Sequence, residues 1–144
     1  MLRTIAAVIL CSLVCLTAIP SAPVPGGTVV ELEPAKTRVG IARVKLEVRD
    51  LRMESSDTIV GNYEIKIPMA PWRNDKGAIS LHAPEPLDRL TADGGTLSGS
   101  GLSDLDGRTH GIVCEFATDG FVEIHIDTPE RDLAFRTRYE LITQ

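Results

Sequence analysis

Apolar and polar residues alternate singly along most of the chain, the period of a strand with one buried face. "TVVELE" (28–33) reads as a short strand. "RVGIARVKLEVRDLRM" (38–53) is the longest alternating run, with Val44, Leu46 and Val48 on one face against Arg43, Lys45, Glu47 and Arg49. Its ends fall out of phase, because Val39, Ile41, Leu51 and Met53 occupy odd positions. A run this long exceeds an ordinary strand, so a break or bulge is predicted near Ala42 and another near Asp50. "ESSD" (54–57) then turns the chain into "TIVGNYEIKIP" (58–68), where Ile59, Tyr63, Ile65 and Ile67 share a face. "MAPWRNDKG" (69–77) has the breakers of a loop, "AISLHA" (78–83) is a strand, and "PEPLDRL" (84–90) is at most one helical turn. The Gly/Ser-rich "TLSGSGLS" (96–103) predicts a flat or bulged strand. Alternation resumes at 109–127 and at "DLAFRTRYELI" (132–142).

Register settles the stretch "THGIVCEFATDGFVEIHID" (109–127), which holds His110, Cys114 and His125. A three-residue loop Thr118-Asp119-Gly120, with glycine in the left-handed position, sets Phe116 against Val122, Cys114 against Ile124 and Ile112 against Ile126. Val113 then meets His125 and Glu115 meets Glu123. A two-residue Asp-Gly loop would slip every side chain to the other face and bury carboxylates or expose three apolar groups. The longer loop is therefore predicted. It separates His110 and Cys114 by roughly 13 Å along one strand, too far for ligands bound about 2 Å from one zinc ion, and turns His125 away. A four-residue "TPER" loop (128–131) continues the register, pairing Ile126 with Leu133, Ile124 with Phe135 and Glu123 with Arg136. Glu115 and Glu123 then read as part of a solvated charge ladder rather than an acid–base couple.

The elements make an all-β domain, an antiparallel β-sandwich or small barrel of about 7–8 short strands. It is preceded by a segment of different character: Arg3, an uncharged and mostly apolar run from Ile5 to Ile19, and a small-residue exit. Residues 1–21 are predicted to be a signal peptide, 22–27 ("APVPGG") a linker and 28–144 one domain. The apolar run is short for a membrane-spanning helix. Loss of the signal removes Cys11 and Cys15, leaves Cys114 alone without an internal disulfide, and takes the formal charge from −5 to −6 as Arg3 departs. An acidic chain with no local Lys/Arg cluster is not expected to bind nucleic acid or an anionic membrane surface, and no membrane insertion is expected after cleavage.

Candidate chemistry is sparse. Asp104 and Asp106 in "DLDG" open like a calcium loop but lack a third ligand and a distal glutamate. "SGSGLS" lacks the spacing of a nucleophile elbow, and no zinc, phosphate or dinucleotide motif is present. No catalytic residue and no cofactor is assigned. Trp72, with Arg73 and Asp75 beside it, makes the loop 69–77 the candidate binding surface; the alternative is an indole folded back as a lid over one end of the sandwich. The expected role is a non-catalytic binding or structural domain, periplasmic or extracellular, whose partner is another exported protein or a cell-surface component. Two rivals make different demands. A small-ligand (lipid-like) carrier needs a hollow barrel. A hydrolase with an unrecognised carboxylate pair needs an acid of raised pKa in a concave site.

Overall fold

The computed structural model describes residues 28–143, so the predicted signal peptide and linker lie outside the described residues. In chain order the strands are β1 Thr28–Leu32, β2 Ala35–Val39, β3 Ala42–Met53, β4 Thr58–Lys66, β5 Asp75–His82, β6 Gly95–Ser103, β7 Thr109–Phe116, β8 Phe121–Asp127 and β9 Asp132–Thr143. A helix, α1 (Leu87–Asp93), joins β5 to β6. From β2 onward each strand pairs antiparallel with the next, while β1 pairs with β9 on one side and β3 on the other. β1 and β2 lie end to end along β3, parted at Glu33-Pro34 where proline has no N–H to give the ladder. The sheet therefore closes through β1 into a barrel of eight staves, with no ladder between β2 and residues 132–138 of β9.

The two irregularities expected in residues 38–53 have different outcomes. Near Ala42 the chain does not bulge but reverses: Val39 pairs with Ala42 across a two-residue Gly40-Ile41 turn, with Gly40 at φ 61. Glycine at the first turn position is what a type II′ hairpin requires. At Asp50 the expected bulge is present, with φ 56 and a register shift between Arg49 and Arg52. That extra residue brings Leu51 into the buried phase of Val44 and Leu46, which resolves the odd-numbered ends of the run.

The hairpin of β7 and β8 has the predicted register, Phe116↔Val122, Cys114↔Ile124 and Ile112↔Ile126, with Gly120 at φ 85. β9 continues it through Ile124↔Phe135 and Glu123↔Arg136. Two predicted boundaries move. β5 begins at Asp75 rather than at Ala78, because Asp75 finds hydrogen-bond partners inside the barrel; α1 spans two turns, because Leu87 and Leu90 both bury under it. β6 pairs without a register slip on either side. Its glycines instead allow the backbone of β5 to approach closely: a Cβ on Gly99 would stand 2.0 Å from the Ser80 carbonyl oxygen of β5.

Inward residues form one apolar core that includes Leu46, Ile59, Leu81, Leu97, Val122 and Phe135. The outer wall carries alternating charges such as Lys45, Glu47, Glu115, Glu123 and Arg136, the inverse of a membrane-spanning barrel with its lipid-facing apolar band. The void inside, lined by Leu46, Tyr63, Ile79, Cys114 and Ile124 among others, measures about 10 Å³, room for a single water at most. The barrel is packed solid. α1 closes one end, where Leu90 lies against Gly95. At the opposite end stand the loops 40–41, 67–74, 104–108 and 128–131.

Candidate functional site

The loop-bearing end has a polar floor under an apolar rim. Asp75, at the start of β5, turns its carboxylate inward and accepts hydrogen bonds from the Tyr63 hydroxyl (3.0 Å), the Ser103 hydroxyl (2.6 Å) and the Lys76 backbone N–H (2.8 Å). His110 Nε2 lies 3.8 Å from the same carboxylate. The Tyr63 ring reaches this position by lying across Gly77 and Gly101, either of which would bring a Cβ to 3.0 Å from its Cε1 atom. Burial, and the Asp75 carboxylate it donates to, push the Tyr63 hydroxyl well above the ordinary phenol range, so it remains a proton donor.

Serine, histidine and aspartate together invite comparison with a hydrolytic triad, but their order is wrong. In a triad the histidine stands between serine and aspartate and takes the serine proton. Here Ser103 donates directly to Asp75 and accepts from the Leu105 N–H at 3.1 Å, and only 2% of it is exposed. The network satisfies a carboxylate inside an apolar barrel and fixes the loops above it.

Above this floor stand, at or beside the same end, the five large hydrophobic residues that are exposed among the described residues: Ile41 (88%), Trp72 (74%), Leu105 (64%), Met69 (62%) and Leu102 (50%). Ile41 tips the β2–β3 turn, Met69 and Trp72 the β4–β5 loop, and Leu105 the β6–β7 loop. The β4–β5 loop is held in shape by Asn74, whose side chain accepts the Ile67 N–H at 2.7 Å, and by a 3-10 turn over Pro71–Arg73. Arg73 reaches across the mouth to Glu130 of the β8–β9 loop (3.5 Å). Trp72 and Arg73 thus occupy the predicted loop surface, whereas Asp75 belongs to the floor beneath it. Sequence reasoning did not connect Ile41, Met69 and Leu105 with Trp72, because only barrel closure brings those turns to one end.

The remaining groups with chemistry lie on the wall. The β6–β7 loop uses Asp106 as a turn former, accepting the Arg108 N–H at 2.9 Å; Asp104 and Asp106 belong to no group of three converging ligands among the described residues. Such a group does exist at Glu115, Glu123 and His125, whose donor atoms all lie within 4.8 Å of one another, with His125 Nε2 3.1 Å from Glu123. The predicted cross-strand pairs are present, and the diagonal from Glu115 to His125, which pairing of directly opposite residues does not reveal, completes the cluster. Nor does Arg136 serve the charge ladder: it turns to Asp119 (3.6 Å) and stacks over Phe121 (4.6 Å). Two glutamates and a histidine are donors a divalent ion accepts, though both carboxylates are exposed.

A second wall feature is a groove of about 340 Å³ lined by Glu47, Arg49, Glu64, Lys76 and Asp104 among others. Lys45 and Arg49 hold the Glu47 carboxyl down at about 2. A general acid for glycoside cleavage needs the opposite displacement. Cys114 faces the interior, where burial pushes its thiol up to about 12. Against the ordinary thiol value of 9.0, that leaves about a thousandfold less thiolate near neutral pH. Alkylation of folded protein at pH 8 is accordingly expected to be slower than in urea by about that factor. Labelling at the unfolded rate would mean that Cys114 points outward and the hairpin register is wrong.

Comparison with protein-family models, with curated proteins and with solved structures found no match for this chain.

Proposed function

We propose that this chain is an exported, non-catalytic barrel that binds a macromolecular surface through its loop-bearing end. One observation carries the reading: the large exposed hydrophobics gather at that end, on turns fixed to a solid scaffold, while the wall is charged. Scattered apolar residues need no explanation, but a group on the loops of one end is how binding surfaces are built. Export is supported by the apolar segment at Ile5–Ile19 behind Arg3. The carrier alternative finds little support, since a void of about 10 Å³ cannot hold a lipid chain. The hydrolase alternative finds little support either, with Ser103 buried and Glu47 displaced toward low pKa.

The test is retention on the envelope fraction of cells that make the protein. Wild type is expected to sediment with it, and a variant carrying Ile41→Ser, Met69→Ser and Trp72→Ala to remain in the supernatant with an unchanged melting temperature. Equal sedimentation of the two would remove the loop end from the function. Ester, peptide or glycoside hydrolysis lost on Asp75→Asn or Ser103→Ala would replace binding by catalysis.

A further inference from the structure

We infer that the occupant of the loop-bearing end is an anionic lipid surface, met by the sector of the rim that β2, β3 and β4 build; this rests on the binding role proposed above. Segments 36–45 and 66–74 together carry Lys36, Arg38, Arg43, Lys45, Lys66 and Arg73, and no aspartate or glutamate. Strand pairing assembles them. Arg38 stands opposite Arg43, and Lys36, Lys45 and Lys66 form one row through Lys36↔Lys45 and Lys45↔Lys66. Like charges placed opposite one another destabilise a sheet, and an anion bound from outside would relieve that repulsion. Lys45 and Lys66 find Glu47 and Glu64 one rung below, and Arg73 finds Glu130. Lys36, Arg38 and Arg43 make no ion pair among the described residues.

Directly beyond these cations project the apolar tips of the same sector, Ile41, Met69 and Trp72. Apolar groups at the tips with arginine and lysine behind them match a bilayer surface layer by layer: the tips enter the acyl boundary while the cations meet phosphates. Tryptophan favours that interface in particular. The exposed acids of this end, Asp104, Asp106, Asp127, Glu130 and Asp132, lie on the β6–β7 and β8–β9 side. The barrel therefore docks tilted, with β2–β4 down and the acidic side away from the lipid. A folded protein partner is the competing occupant, but nothing in its recognition requires a cationic band directly below the tips.

The experiment uses the protein purified in its exported form, with vesicles of phosphatidylcholine alone or containing phosphatidylglycerol. Trp72, the only tryptophan of the chain, is the reporter. Flotation with the anionic vesicles, a blue shift of Trp72 emission and weakening by salt are expected. Arg38→Gln with Arg43→Gln is expected to lower affinity about tenfold or more, and Ile41→Ser with Met69→Ser to abolish flotation, both in folded protein. Equal binding to neutral and anionic vesicles, or indifference to the arginine changes, would overturn the inference. Absence of vesicle binding with envelope retention still dependent on the rim would overturn the lipid assignment and leave a protein as the occupant of the same end. Loss of rim dependence in both assays would overturn the binding end itself.

Discussion

Truncating Phe135 to alanine is expected to lower stability by about 3–5 kcal/mol. The ring is 1% exposed and faces the interior opposite Ile124. Closure of the barrel sets the size of the loss. β9 is hydrogen-bonded to β8 through residues 132–138 and to β1 from Tyr139 onward, so the wall resists sliding inward to fill the space, and the cavity term adds to the lost transfer energy. Against a typical domain stability of about 5–15 kcal/mol this is a large fraction. The midpoint of urea unfolding measures it, with Phe121→Ala as the control. Phe121 is half-buried on the outer wall between Arg136 and Arg138, and its loss is expected to be about 1 kcal/mol. Equal effects from the two truncations would mean that the interior is not tightly packed.

The second large effect belongs to a residue with no side chain. A methyl group on Gly77 would stand 1.8 Å from the Leu102 carbonyl oxygen, 2.8 Å from the carbon of that carbonyl and 3.0 Å from Tyr63 Cε1. The nearest atoms are backbone, so no rotamer change relieves the overlap. β5 and β6 would have to separate where Gly77 pairs with Ser103, the residue that donates to Asp75. Gly77→Ala is therefore expected to lose about 3 kcal/mol, the upper part of the range for overpacking. Gly111→Ala, where the new methyl meets only the Asp127 Cβ at 3.7 Å, is expected to be nearly neutral. A neutral Gly77→Ala would contradict the close approach of β5 and β6.

What could be read from the residues follows from how local the cause was. The β7–β8 hairpin was legible because Gly120 fixes the loop length and the loop length fixes every facing pair. The Asp50 bulge was legible as a change of phase within one run. β2 was not, since "AKTRV" is polar on its outer face and its small Ala35 becomes core only once Leu46 of β3 lies opposite. Nor was the inward turn of Asp75, which depends on donors 12 residues before it and 28 after it in the chain. The cationic sector escaped for the same reason. Lys36 and Lys66 are remote in sequence, and only the ladder through Lys45 makes a cluster of them. Charge counted along the chain argued against an anionic surface; charge counted across the sheet argues for one.

Oxidative footprinting tests the binding end most directly, because its tips include Met69 and Trp72, side chains that hydroxyl radicals attack readily. With the protein's own envelope present, protection of both is expected, with Phe121 on the far wall unchanged. Undiminished oxidation of Met69 and Trp72, with protection elsewhere on the barrel, would contradict the assignment.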